Sequence, residues 1–176
     1  MKYKTFIIIL IIGAFFLSGC NRPKQTGVEF DEIDTSQDPI QTPVSSSKPI
    51  IKGFKHGTFT IMPVAKYKLS GRVVSKKSYS DDWDGLVSPM DLAMAWGDLT
   101  GREYGEYITF SQGSRWYHYK LKEKSPFDLS YVVTHSSNNH IIPDNENINR
   151  AIKSINKKDE VILELESTEF SIIKIA

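Results

Sequence analysis

The sequence is nearly without cysteine, with one residue, Cys20, in 176. An internal disulfide framework and a multi-thiolate metal cluster are therefore excluded. Charge of one sign is not in excess, since Lys and Arg number 22 against 21 Asp and Glu. Nucleic acid is set aside as a partner, because its binders usually carry a basic face or stripe. There is no GxSxG nucleophile elbow, no internal repeat, and only one long hydrophobic run. What is present is globular in character: aromatic residues make up 11% and charged residues 24% of the chain. That composition supplies a core for one ordinary domain and is not that of a disordered chain.

The hydrophobic run lies at the start. Lys2 and Lys4 precede Phe6 to Leu17, 12 residues without a charged side chain. At 1.5 Å per residue such a helix reaches only about 18 Å, short of the roughly 30 Å of bilayer hydrocarbon, so the segment reads as a signal peptide. It ends in Leu17-Ser18-Gly19-Cys20, which resembles the lipobox of bacterial lipoproteins. The resemblance implies cleavage before Cys20, diacylglyceryl transfer to its sulfur and acylation of the new amine. Two or three acyl chains anchor a protein stably where one holds it only marginally. Loss of Lys2 and Lys4 with residues 1–19 leaves 20 cationic against 21 anionic side chains. Asn21 differs from the Asp that resembles an inner-membrane retention signal, so in a host with two membranes the periplasmic face of the outer membrane is expected.

Residues 20–52 are rich in Gln, Thr, Ser, Asp and Pro, with Pro23, Pro39, Pro43 and Pro49 and no hydrophobic period. This stretch reads as a flexible tether. The domain is expected over 53–176, as an α+β fold: a small twisted sheet or partly open barrel with two short helices. Thr58 to Met62, Tyr67 to Ser75 and Leu129 to Thr134 read as strands, and Tyr107 to Ser111 with Arg115 to Leu121 as a strand pair around Gln112-Gly113. Ser88-Pro89-Met90-Asp91 predicts a helix start, carried on by Leu92 to Trp96 and stopped by Gly97. Asp144 or Asn145 predicts the cap of a second helix whose Ile148, Ile152 and Ile155 form one apolar face. Val161 to Leu165 and Phe170 to Ile175 predict a terminal hairpin.

Three segments concentrate the chemically useful residues: Ser88 to Gly97, Ser111 to Tyr117, and Ser136 to Pro143. In order and spacing they resemble a family of small membrane-associated or exported bacterial proteins with SPxDxAxxWG, SQxxRxY and NxHxIP segments, over about Ala65 to Leu165. The resemblance implies a recurring domain and no established activity, and it directs attention to Asp91, Trp96, Gly97, Arg115, Tyr117, His140 and Pro143. Family members often continue with Ser, Arg and Cys positions that this chain lacks.

Read from the residues, His140 has two uses. It can satisfy backbone groups in a polar loop, with His118 and His135 solvated. It can also act as a general base oriented by Asp91, with Ser111, Ser136 or water attacking. A metal would need His140 and His135 joined by His118 or Asp91, at spacings that match no zinc signature. Asp91 has a structural use as a first-turn carboxylate that pairs Arg115. Trp96, Trp116, Tyr117 and Tyr119 could form a platform for sugar rings or peptide, with core packing the commoner use of such residues. Asp81 to Gly85 reads as an acidic surface turn, since it lacks calcium-loop spacing.

The expectation is a membrane-anchored envelope protein, non-enzymatic, that binds an envelope protein or cell-wall ligand and needs no cofactor. An envelope hydrolase centred on His140, with or without metal assistance, is the alternative. Metabolic labelling with a fatty-acid probe, followed by mass spectrometry, is expected to show an acylated chain beginning at Cys20 and an unlabelled, unprocessed Cys20→Ala variant. A wild-type chain that keeps Met1 and carries no acyl group would contradict the lipobox reading.

Overall fold

The computed structural model describes residues 32–173 apart from 47, 55–56, 81–84, 86 and 102. Cys20, residues 1–19 and the acidic turn at Asp81 to Asp84 lie outside the described residues. The domain is α+β as expected, 48% strand, with a curled, half-barrel sheet and, among the described residues, three short helices.

The elements run β1 (Ile40–Pro43), β2 (Ile50–Phe54), β3 (Gly57–Ser78), β4 (Met90–Ala95), a 3-10 turn (Gly97–Thr100), α1 (Tyr104–Tyr107), β5 (Ile108–Gly113) and β6 (Trp116–Leu121). After these come α2 (Leu129–Thr134), β7 (Ser136–Ile141), α3 (Glu146–Ser154) and β8 (Glu160–Ile173). The 22-residue β3 is the axis of the sheet. β8 pairs antiparallel along one side of it, from Thr58↔Ile173 to Arg72↔Glu160. The other side takes β2, β1 and β4 in succession, and β7 continues the sheet from β4. A strand this long must bend, and β3 does so at register shifts between Pro63 and Ala65 and between Val73 and Ser75. Such bulges increase local twist. At the second one, the Lys158 N–H donates to the Val73 carbonyl (2.8 Å) and the Val73 N–H to the Asp159 carbonyl (2.9 Å), which fixes the turn leading into β8.

Both faces of the sheet are covered around β4, whose six residues are all buried. On one face Leu69, Val73, Leu92, Met94, Trp96 and Leu163 pack with Ile152 of α3. On the other, Val74, Ala93 and Ala95 pack with Ile108 and Phe110 of the β5–β6 hairpin and Val132 of α2. The small Ala93 and Ala95 leave the room that the hairpin aromatics fill. Asn145 caps α3, its side chain accepting from the N–H groups of Asn147 (3.0 Å) and Ile148 (3.1 Å). Ile152 is buried and Ile155 packs against the core, whereas Ile148 is 47% exposed, so only the C-terminal part of the expected apolar face is used.

Several expectations are corrected. Met90 to Ala95 is a strand and not a helix, because a short apolar run buried on both faces has no period to separate the two. Leu129 to Thr134 is a helix and not a strand. Its β-branched residues are overridden by Asp128, whose side chain accepts from the Tyr131 N–H at the helix start (2.7 Å). Ser136 to Ile141 is a strand and not a polar loop, its amide-rich sequence lying at the sheet margin beside β4. The two expected strands in Thr58 to Ser75 are one, and the terminal hairpin is the single strand β8. Within the stretch read as tether, β1 and β2 pair with β3, and Thr35 accepts at its carbonyl from the Gly97 N–H (2.8 Å).

Gly71 sits in β3 where a Cβ would come within 2.6 Å of the Ala95 carbonyl oxygen. Gly71→Ala is therefore expected to lower unfolding free energy by about 1–3 kcal/mol. Gly53→Ala, with nothing within 4 Å of its Cβ, is expected to stay within about 0.5 kcal/mol of wild type. Urea denaturation measures both, and equal midpoints for the two variants would contradict this packing.

Candidate functional site

The sequence-selected residues separate into two groups. Asp91, Arg115 and His140 meet, whereas Trp96, Gly97 and His135 lie together elsewhere.

Asp91 and His140 are directly opposite each other on β4 and β7. Asp91 is 0% exposed, an ionisable side chain in the middle of a sheet covered on both sides. His140 Nδ1 lies 2.8 Å from Asp91 Oδ1, and Arg115 Nη1 donates to the same oxygen at 3.1 Å. A carboxylate only accepts, so Nδ1 carries the proton of that contact and Nε2 is left on the far side of a half-exposed ring. Arg115 Nη1 also donates to the Ser88 carbonyl (2.9 Å).

The hairpin turn that delivers Arg115 is strained. Ser114 and Arg115 have φ of 50° and 68°, and with Gly113 paired to Trp116 they form the two-residue loop of the hairpin. A turn of this hand requires φ > 0 at both central positions and favours Asn-Gly there. Two side-chain-bearing residues in that region cost on the order of 1 kcal/mol each, offset by what their surroundings fix. The Arg115 guanidinium carbon lies 3.6 Å from the centre of the Tyr79 ring, and the Arg115 N–H donates to the Tyr79 hydroxyl (3.3 Å). The Asn138 side chain on β7 donates to the Arg115 carbonyl (3.0 Å), and Gln112 donates to Asn138 Oδ1 (2.7 Å). Burial first, and then the negative charge of Asp91, hold the Tyr79 hydroxyl above its ordinary pKa. Asp91 is thus not the first-turn carboxylate of a helix, although its expected pairing with Arg115 is present.

Neither candidate nucleophile reaches His140. Ser136 Oγ donates to the Val132 carbonyl (2.6 Å) and shares a contact with the Tyr117 hydroxyl (3.3 Å). It stands four residues along β7 from His140, roughly 13 Å at strand rise. Ser111 is on the outer, exposed side of the hairpin. Among the described residues, no three His, Cys, Asp or Glu side chains come together as a metal site. His118 is exposed, as expected. His135 is not solvated but half-buried, stacked on Tyr131 with ring centres 3.8 Å apart.

The second group joins the N-terminal segment to the sheet. Trp96 is buried, and its indole N–H donates to Asp38 Oδ1 (3.1 Å). Gly97 has φ +63°, and a Cβ there would meet the Tyr131 hydroxyl at 2.9 Å, so glycine is required by both conformation and space. Tyr117 and Tyr119 pack against the core, Pro143 is half-buried after β7, and of the four expected platform aromatics Trp116 alone is open, at 72% exposure. Sequence reasoning missed Tyr79, Gln112 and Asn138. No local pattern marks them, because their role exists only once the hairpin lies on the sheet. No family model matches the chain, and no curated protein or solved structure is significantly similar to it.

Removing one partner of a buried ion pair leaves the other charge unmet. Asp91→Ala and Arg115→Ala are each expected to cost about 3 kcal/mol, with the double variant costing less than the sum. His140 is half exposed, and His140→Ala is expected to cost about 1 kcal/mol. Chemical denaturation of the four variants tests this ordering, and additive single effects would contradict the pairing.

Proposed function

We propose that the protein is a lipid-anchored component of a bacterial cell envelope, and that its β-rich domain is a non-catalytic binding or accessory module for a protein partner or a cell-wall ligand. The address rests on the Leu17 to Cys20 lipobox, and the residue after Cys20 favours the periplasmic face of the outer membrane in a host that has one. The observation that carries the non-catalytic reading is the use made of Asp91. Its Oδ1 meets Arg115 and His140 together, and through Arg115 it ties the β5–β6 hairpin to the sheet. The hydroxyls that would serve as nucleophiles are occupied or aimed elsewhere.

One observation favours a second reading. The Asp91–His140 contact has the form of an oriented general base, with Nε2 left for a water, as an envelope hydrolase would need. Protein purified from membranes discriminates the two. The expected result is no hydrolysis of ester, amide or phosphoester probes above that of His140→Ala, and a thermal midpoint unchanged by chelator. Turnover that falls at least about a hundredfold in His140→Ala, with the variant still folded at the assay temperature, would contradict the non-catalytic reading.

A further inference from the structure

The outer side of the β5–β6 hairpin joins no hydrophobic cluster among the described residues. Its register sets Gly113 opposite Trp116, Ser111 opposite His118 and Thr109 opposite Lys120. Thr109, Ser111, Trp116, His118 and Lys120 are exposed, while Ile108, Phe110, Tyr117 and Tyr119 on the alternate side face the core. Trp116, at 72% exposure, is the most exposed large hydrophobic among the described residues, and the glycine opposite leaves its flank uncovered. The hairpin sequence from Tyr107 to Lys122 contains Arg115, Lys120 and Lys122 and no Asp or Glu. Arg115 is neutralised by Asp91, so the outer side carries Trp116, His118 and Lys120 in line along β6, the lysine roughly 13 Å from the tryptophan at strand rise.

We infer that this hairpin face rests on an anionic lipid surface. Tryptophan settles at the headgroup level of a bilayer, where an apolar ring and a polar N–H are both accommodated. Lysine is drawn to the negative potential of anionic headgroups. Chain length makes that surface available: only residues 21–31 separate Cys20 from Glu32, where the described domain begins. Whatever its conformation, that segment spans at most about 40 Å. The inference rests on the lipid-anchored reading, under which the bilayer is held at high effective concentration and a weak patch suffices to orient the domain.

The test uses the full chain purified from membranes and reconstituted into vesicles of phosphatidylcholine, alone or mixed with phosphatidylglycerol, with brominated acyl chains as quenchers. Mass spectrometry of the same preparation reports acylation, so failure of the anchor and failure of the surface are separately visible. Quenching of tryptophan emission is expected in the anionic vesicles, falling at least about twofold in Trp116→Phe and Lys120→Gln and weakening at high salt, as screening of exposed charges requires. Equal quenching in wild type and Trp116→Phe would overturn the inference. So would a Trp116 that lipid leaves unquenched but muramyl glycan fragments shield from acrylamide, which would assign the face to cell-wall polymer instead.

Discussion

A carboxylate placed inside a sheet that is covered on both faces loses its water, and the loss amounts to several kcal/mol unless other groups meet the charge. Asp91 is in that position, and the groups that meet it come from different parts of the chain. His140 arrives by strand pairing from β7, 49 residues away in sequence, and Arg115 arrives from the tip of a separate two-stranded sheet. The strand pairing and the hairpin docking are thereby made to agree with each other. The left-handed backbone at Ser114 and Arg115, the stacking on Tyr79 and the amide bridge from Gln112 through Asn138 all serve to bring one guanidinium to one oxygen. Docking the hairpin also closes the second core, where its aromatics fill the space above Ala93 and Ala95.

The sequence was legible where chemistry is local. The strand pair at 107–121 and the Asn145-capped helix follow from turn residues and helical spacing, and both are present. It was less legible where tertiary context decides. Met90 to Ala95 looks alike as helix or strand because no residue in it faces water, and Ser136 to Ile141 looks like a loop because the hairpin and the neighbouring strand that its amides bond to are distant in sequence. The polar stretch before Gly53 reads as tether, yet Asp38 meets the Trp96 indole and Ile40 to Pro43 lies along β3. Those contacts are long-range and leave no mark in local composition. The site residues Asp91, Arg115 and His140 could be named in advance because each stands in one of the three segments dense in chemically useful residues. Their meeting point could not, since it needs the β4–β7 register.

The same placement separates what is internal from what faces outward. Asp91 and Arg115 are turned inward and used to hold the hairpin, while the alternate residues of that hairpin are left free of the core. Under the proposed binding role, a paired platform with one open tryptophan would order the contact surface before any partner arrives. The N-terminal segment is secured to the far end of β4 through Trp96, Gly97 and Thr100, so the chain enters the domain at a fixed point.

The charge of Asp91 holds the hairpin to the sheet through Arg115. Native-state hydrogen exchange on wild type and Asp91→Asn, read residue by residue, tests it most directly. Protection is expected to fall selectively at the backbone amides of 108–121 while those of β3 paired with β8 keep theirs. Protection that is unchanged in the hairpin, or lost evenly across both sheets, would contradict it.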